Sequence, residues 1–212
     1  MLSTPRKPAM PSTHWFPDGF HHLGCALLCA FALSGAAARE APAQVASLEG
    51  LSASDDARPE LAQMLPQNRL VGKSRLNVYG FQIYDARLWA ETGFKADNLR
   101  AQSFALELAY LRSFASSDVA ARSIVEMRRS ADISPAQAKI WTQELQRVIP
   151  DVKKGDRIMG VNKPGVGVQF LVNGKPSGEV RDLEFAQLFF GIWLSPKTSQ
   201  PKLRSALLVG TM

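Results

Sequence analysis

The cysteines and histidines of this chain, the usual nucleophiles, general bases and zinc ligands of proteins, are confined to its N-terminal segment. The chain has 212 residues, and these five residues are Cys25, Cys29, His14, His21 and His22. Removal of that segment would exclude disulfides, thiolate metal sites, cysteine nucleophiles and histidine bases together. We therefore expect no metal site and no cofactor, and the chemistry-bearing residues that remain are arginines, tyrosines and carboxylates.

The same N-terminal segment has the pattern of an export signal. A basic start at Arg6 and Lys7 precedes an apolar run at 25–33, and alanines at 36–38 offer a cleavage site, with 41–43 as a second choice. The run is shorter than the roughly 20 residues that span a bilayer. The sequence therefore predicts a signal peptide at 1–38 and a periplasmic or secreted protein. An uncleaved membrane anchor and a start at Met10 are the alternatives.

Composition predicts one folded domain behind this signal. Hydrophobic residues make up 46% of the chain and charged residues 21%, which is ordinary globular usage. Residues 39–68 are rich in small and polar types without a sustained period, which predicts a flexible linker, and 69–210 then form the domain.

The charge of the chain bears on its partners. The formal net charge is +6, which favours contact with anionic membrane surfaces or anionic ligands. Lysine and arginine are scattered, so nucleic acid is not an expected partner. The run Arg122, Arg128 and Arg129 is predicted to be a solvated helix face, with binding of an anion or a lipid headgroup as the alternative. The oligomeric state is not predicted.

The first hairpin is predicted around a two-residue turn at Tyr79-Gly80. With that turn, Arg75 lies opposite Tyr84 on the polar face. The other face is predicted to carry the apolar residues Leu76, Val78, Phe81 and Ile83. One additional residue would reverse the faces of one strand.

After this hairpin the sequence predicts a third strand, two helices, two short strands at 157–161 and 167–172, and two more helices. Ser134-Pro135 is typical of a helix start and Asn173-Gly174 of a hairpin turn. The helix at 183–194 is apolar nearly all round; its phenylalanines and Trp193 are predicted to be core, or else to line an acyl cavity. Gly165-Val166-Gly167 is predicted to be a tight turn and not a phosphate loop. The element order predicts an α+β fold in which an antiparallel sheet packs against a layer of helices.

Residues 154–194, taken with the hairpin at Tyr79-Gly80, resemble the chalcone isomerase fold in its bacterial, secreted, isomerase-like branch. The resemblance covers roughly 69–208. It implies an arginine on the first strand, which is Arg75 or, as a second option, Arg69. It also implies a threonine on the second strand and a tyrosine and an asparagine on the following helix. The second strand has Tyr84 and Asp85 at that point, and 116–124 contains neither tyrosine nor asparagine, so no catalytic residue and no chalcone turnover are predicted.

A plant branch of the same family binds fatty acids through an arginine and a tyrosine, and Arg75 and Tyr84 match that chemistry. The resemblance thus implies a non-catalytic protein that binds a small amphipathic organic anion such as a fatty acid, with Arg75 and Tyr84 as its ligand-binding residues. An exposed cross-strand pair without a ligand is the alternative. Two other functions stay open: an intramolecular lyase or isomerase with an unknown substrate, and a structural or partner-binding protein whose cleft is filled by side chains.

Overall fold

Six strands follow one another across one sheet in the order in which they occur along the chain, and every neighbouring pair is antiparallel. The computed structural model describes residues 58–211. The strands are β1 (Arg69–Val78), β2 (Phe81–Ala90), β3 (Phe104–Tyr110), β4 (Arg157–Lys163), β5 (Gly167–Val172) and β6 (Lys175–Val180). The α-helices in this part of the chain are α1 (Ser116–Met127), α2 (Pro135–Val148), α3 (Leu183–Leu194) and α4 (Pro201–Leu207). The predicted α+β fold is confirmed.

Local signals in the sequence placed several of these elements correctly. Ser134 caps α2 by accepting a hydrogen bond from the Gln137 backbone N–H at 3.1 Å, and Pro135 occupies the first helical position. Asn173 and Gly174 both have positive φ, 51° and 80°, as a two-residue hairpin turn requires. The strand that follows this turn, β6, was missed, because its proline and its glycine are residues that central strands avoid.

The first hairpin has the predicted turn but not the predicted register. Tyr79 and Gly80 have φ of 48° and 81°, and Val78 pairs with Phe81 as expected. One step later the register shifts, so that Leu76 lies opposite Tyr84 and Ile83 is the extra residue of a β-bulge. The predicted pairing of Leu76 with Ile83 is therefore wrong. The bulge moves every residue beyond it to the opposite face from the one predicted.

One face of the sheet is covered by the helices and is filled with aromatic rings. Phe190 of α3 packs edge-on against Phe104 at 4.6 Å, and Phe189 packs against Phe170 at 5.2 Å. Between them lies Gly160, where an added Cβ would come within 3.3–3.4 Å of both α3 rings. The absence of a side chain at Gly160 lets α3 lie close to the sheet, and this contact makes its phenylalanines part of the core.

The other face of the sheet is covered by the segment that precedes β1. Leu61 and Leu65 are fully buried there, and they form one apolar cluster with residues of β2 to β5, namely Trp89, Ala105, Met159, Val161 and Leu171. The prediction of a flexible linker at 39–68 is therefore wrong for residues 58–68, whose apolar side chains were too few and too closely spaced to give a recognisable period. The rest of that linker and the predicted export signal at 1–38 lie outside the described residues.

Within residues 58–211 no helix is both long enough and apolar enough to cross a bilayer. In the same range, acidic and histidine side chains do not cluster in groups of three or more that could hold a metal ion.

Candidate functional site

Tyr84 lies on the helix-covered face of the sheet, because the bulge in β2 turns its side chain inward. The side chain is buried, and its hydroxyl oxygen accepts a hydrogen bond from Nε1 of Trp193 in α3 at 2.9 Å. Tyr110, which is its partner on β3, packs edge-on against its ring at 6.0 Å. Two phenols and an indole N–H thus meet at the end of the sheet where β1 and β2 join.

An ion pair on α1 faces the same region. Arg122 donates through Nη2 to Oε1 of Glu126 one turn later, and their side chains are only 18% and 4% exposed. The other carboxylate oxygen of Glu126 is buried and accepts no hydrogen bond from residues 58–211. Nε of Arg129 lies 3.8 Å from that oxygen. One buried carboxylate therefore lies within 4 Å of two guanidinium groups.

The electrostatics of Tyr84 connect these groups into one site. Burial raises the pKa of its hydroxyl well above the ordinary value; the hydrogen bond from Trp193 lowers that pKa, the charge of Glu126 raises it and the charge of Arg122 lowers it. Burial also raises the pKa of Tyr110, and Tyr84 adds to that effect. We call Tyr84, Tyr110, Arg122, Glu126 and Trp193 the inner polar cluster.

The inner polar cluster is suited to binding an anion. Both phenols remain protonated at neutral pH and are available as hydrogen-bond donors. A guanidinium presents a planar fork of donors that matches a carboxylate. The cluster contains no histidine and no cysteine, so it lacks the common general base and the common nucleophile.

The predicted binding pair of Arg75 and Tyr84 is not formed. Arg75 lies opposite Asp85 and makes a two-pronged ion pair with it, at 2.6 and 2.9 Å, on the face of the sheet away from Tyr84. The sheet therefore separates the two side chains, and one carboxylate cannot contact both. The physical reason is the bulge, which was not recognisable from the alternation of β2.

Of the three arginines predicted to form a solvated face, Arg128 and Arg129 are exposed and only Arg122 differs. Arg122 was predicted to be solvated, but its side chain is mostly buried against Glu126. The sequence signal for this was weak: a basic and an acidic residue spaced by four, beside the core positions Ile124 and Met127. Such spacing is common on exposed helices. Only the packing of α1 on the sheet shows that this pair lies inside.

The structure favours core packing for the aromatic helix and a tight turn for the glycines at 165–167. Phe185, Phe189 and Phe190 are buried; Phe185 stacks on Phe189, and Phe189 meets Phe190 edge-on, so they do not line an acyl cavity. A small pocket of about 40 Å³ lies at the N-terminus of α3, beside Asn162, and is too small for an acyl chain. At Gly167 an added Cβ would lie 2.1 Å from the Val180 carbonyl oxygen, as expected of a turn with close backbone approach.

A second buried carboxylate lies on the outer face of the sheet. Glu107 of β3 accepts two hydrogen bonds from Arg58, at 2.7 and 2.8 Å, and one from Arg157 at 2.9 Å. Arg87 lies 3.8 Å away, and the guanidinium of Arg58 also lies over the ring of Trp89 at 5.1 Å. The contacts of Arg58 hold the segment before β1 against the sheet, whereas Arg87 and Arg157 link β2 and β4 to β3. The sequence did not indicate this site, since Arg58 falls in the range predicted to be a linker.

Known proteins resemble this chain in sequence or in fold. The chain is 27% identical over 138 residues to an uncharacterized protein of Haemophilus influenzae, with 65% of this chain and 66% of the relative covered, slightly under two thirds of the relative's length. A crystal structure of a fatty-acid binding protein from Arabidopsis thaliana matches with a TM-score of 0.53 and 11% identity, over 68% of this chain and 88% of that one. The two proteins thus share a fold.

The profile of the chalcone isomerase-like family matches residues 71–209, which is most of the described domain. The resemblance inferred from the hairpins and the aromatic helix is confirmed, and the chain belongs to the chalcone isomerase-like family.

Proposed function

We propose that this protein is a non-catalytic binding protein for a small amphipathic organic acid such as a fatty acid, and that it acts after export to the periplasm. The observation that carries the proposal is the inner polar cluster, in which Arg122 pairs with the carboxylate of Glu126 beside two buried phenols, while Arg129 lies just outside the cluster, 3.8 Å from the same carboxylate. Arg75, the predicted anchor, is replaced in this proposal by Arg122, while Tyr84 is kept.

The charges of the cluster explain why it would accept an acid. An incoming carboxylate would meet two guanidinium groups, those of Arg122 and Arg129, beside the one carboxylate of Glu126. A hydrogen bond to a charged group contributes about 1.5–3 kcal/mol net when it is shielded from water. The Arabidopsis protein that shares this fold is described as a fatty-acid binding protein, which supports the same class of ligand here.

The position of an acyl chain is limited by the space that the protein's own side chains already fill. The rings of α3 contact the sheet around Gly160, so a chain lying beneath α3 would have to displace them. We therefore expect the cluster to hold the carboxylate end firmly and the length of the chain to be limited by how far α1 and α3 can separate. Binding measured for acids of increasing length gives this limit.

One observation favours a second candidate, a structural or partner-binding protein with a filled cleft. The close contact of Phe189 and Phe190 with the sheet leaves the space beneath α3 occupied by the chain itself. Such a protein would bind no acid at all. A titration that shows saturable binding at the inner polar cluster excludes this candidate, and the absence of binding favours it.

The test is displacement of a fluorescent fatty acid from the purified domain and from three variants. Arg122→Ala should weaken binding by about tenfold to a hundredfold, because one charge-assisted contact is lost. Tyr84→Phe should weaken it by a smaller factor, since a phenol is a neutral donor. Arg75→Ala is the matched control, because it removes an arginine on the outer face, and it should bind like the parent protein. Equal affinity of the Arg122 and Arg75 variants would contradict the proposed site.

A further inference from the structure

The tip of the first hairpin exposes two aromatic side chains, one on each side of Gly80 in the sequence. Tyr79 in the turn is 75% exposed, and Phe81 at the start of β2 is 48% exposed. The remaining large apolar residues that are exposed in 58–211 are single aliphatic side chains on other elements: Val125, Ile140, Val166, Leu183 and Val209. Within residues 58–211, the exposed aromatic side chains therefore lie at this turn.

Tyr79 has a backbone conformation that tyrosine rarely adopts. Its φ of 48° is left-handed, a conformation that glycine, asparagine and aspartate adopt more readily. The turn between β5 and β6 has nearly the same backbone, with φ of 51° and 80°, and carries the favoured pair Asn173-Gly174. Two turns of one geometry thus differ in the side chain they present, and the unfavourable choice at Tyr79 points to a role for its ring.

A basic residue accompanies the aromatic pair. The guanidinium of Arg112, an exposed residue in the loop after β3, lies 4.6 Å from the ring centroid of Phe81. No salt bridge in the described part of the chain neutralises Arg112. The tip therefore combines rings that are apolar at their centre with a positive charge, on a protein whose formal net charge is +6.

We propose that this tip, formed by Tyr79, Phe81 and Arg112, docks onto the surface of a lipid bilayer that contains anionic headgroups. Aromatic side chains favour the level of the headgroups, where one part of the ring is in contact with acyl chains and the polar part stays hydrated. A nearby arginine is attracted by the negative surface potential of such a membrane. The combination of exposed aromatic rings with the charge of Arg112 matches the interface of such a membrane.

The tip is close in the chain to residues of the inner polar cluster, but the proposed membrane binding does not depend on that cluster. Phe81 and Tyr84 are three residues apart on β2, and Arg112 follows Tyr110 by two residues. Docking at the tip would bring that end of the sheet to the membrane. The inference concerns binding to the membrane only, and the vesicle experiment below contains no free acid, so its outcome is separate from that of the fatty-acid titration.

The experiment is sedimentation of the protein with large vesicles, either of phosphatidylcholine alone or with phosphatidylglycerol added. The parent should bind the anionic vesicles, and the double variant Tyr79→Asn/Phe81→Asn should lose at least about tenfold in affinity for them. The variant keeps a turn sequence that suits the backbone, so it should fold. Arg112→Gln should lose about fivefold on anionic vesicles only, and its binding should depend less on salt.

Two controls make the experiment specific. Ile140→Asn removes an equally exposed apolar residue from α2, and it should bind like the parent. Asn173→Tyr adds a ring to the matched turn between β5 and β6, and it should not increase binding. The proposal is overturned if the parent does not bind anionic vesicles, if the hairpin variants bind as the parent does, or if Ile140→Asn reduces binding equally.

Discussion

Two buried glutamates on opposite sides of the sheet differ in the hydrogen bonds that their carboxylates accept. Glu107, on the outer face, is 1% exposed, and both of its oxygens accept hydrogen bonds from arginine. Glu126, on α1, is 4% exposed, but only one of its oxygens accepts a hydrogen bond within residues 58–211. The first carboxylate is fully satisfied by the protein and the second is not.

This difference separates a structural site from a candidate binding site. A buried carboxylate whose two oxygens both accept hydrogen bonds holds its partners in one arrangement. Glu126 has one oxygen that accepts no hydrogen bond within residues 58–211, and it lies beside Arg122 and Arg129, the guanidinium groups that we propose an incoming anion would contact. The outer face thus secures the segment before β1, and the helix-covered face carries the proposed binding site.

The largest expected effect is on the outer face, where several arginines share one buried carboxylate. Glu107→Ala should lower the free energy of unfolding by about 3–5 kcal/mol, because Arg58, Arg87 and Arg157 would all lose the carboxylate that they share. Urea unfolding followed by tryptophan fluorescence measures this loss.

The control for this change is Glu179→Ala on β6, which removes a glutamate that hydrogen-bonds Arg181 at 2.8 Å on the surface. It should cost less than about 1 kcal/mol, as exposed ion pairs do. A comparable loss in both variants would show that the satisfaction of Glu107 has no special importance.

The second prediction concerns Glu126, whose substitution should strengthen ligand binding. Glu126→Gln removes the internal carboxylate that competes for Arg122, so affinity for a fatty acid should rise by about tenfold, the effect of one charge-assisted hydrogen bond. Displacement of a fluorescent fatty acid measures the change.

Glu144→Gln on α2 is the matched control, since Glu144 pairs with Arg147 at 2.6 Å on the surface. It should leave the affinity unchanged. Weaker binding by Glu126→Gln would mean that this carboxylate supports the ligand instead of competing with it.

The smallest effect is a dependence on alkaline pH that belongs to the helix-covered face alone. Burial raises the pKa of Tyr84 and Tyr110 in the folded state, whereas both titrate near pH 10 when unfolded. Protonated phenol is therefore favoured by folding. The stability it contributes is fully present below about pH 10 and is lost as the pH rises above that value.

Absorbance of phenolate during a pH titration checks this, because the chain has only three tyrosines. Two of them should ionise together with unfolding and not before it. Tyr84→Phe should reduce the loss of stability at alkaline pH. Ionisation of all three tyrosines near pH 10 in the folded protein would be inconsistent with burial of the inner polar cluster.

The sequence predicted the elements better than it predicted the residues that face one another. The turn at Tyr79-Gly80, the cap at Ser134 and the turn at Asn173-Gly174 are local features, each specified by two or three adjacent residues, and all three were predicted correctly. The pairing of Arg75 with Tyr84 depended on the register of two strands. A single extra residue, Ile83, placed Arg75 and Tyr84 on opposite faces of the sheet. The alternation of residues in β2 does not indicate such a bulge.

By itself, the sequence determined the α+β class and the family resemblance, and it restricted cysteine and histidine to residues 14–29. These properties follow from residue types and short-range backbone preferences, which neighbouring residues set. The tertiary structure decided that Arg122 and Glu126 lie inside, that Arg58 closes over Glu107, and that the aromatic residues of α3 fill the space above Gly160. Each of these contacts joins residues that are distant in the chain or depends on which side of a helix faces the sheet, so it is decided only when the elements pack.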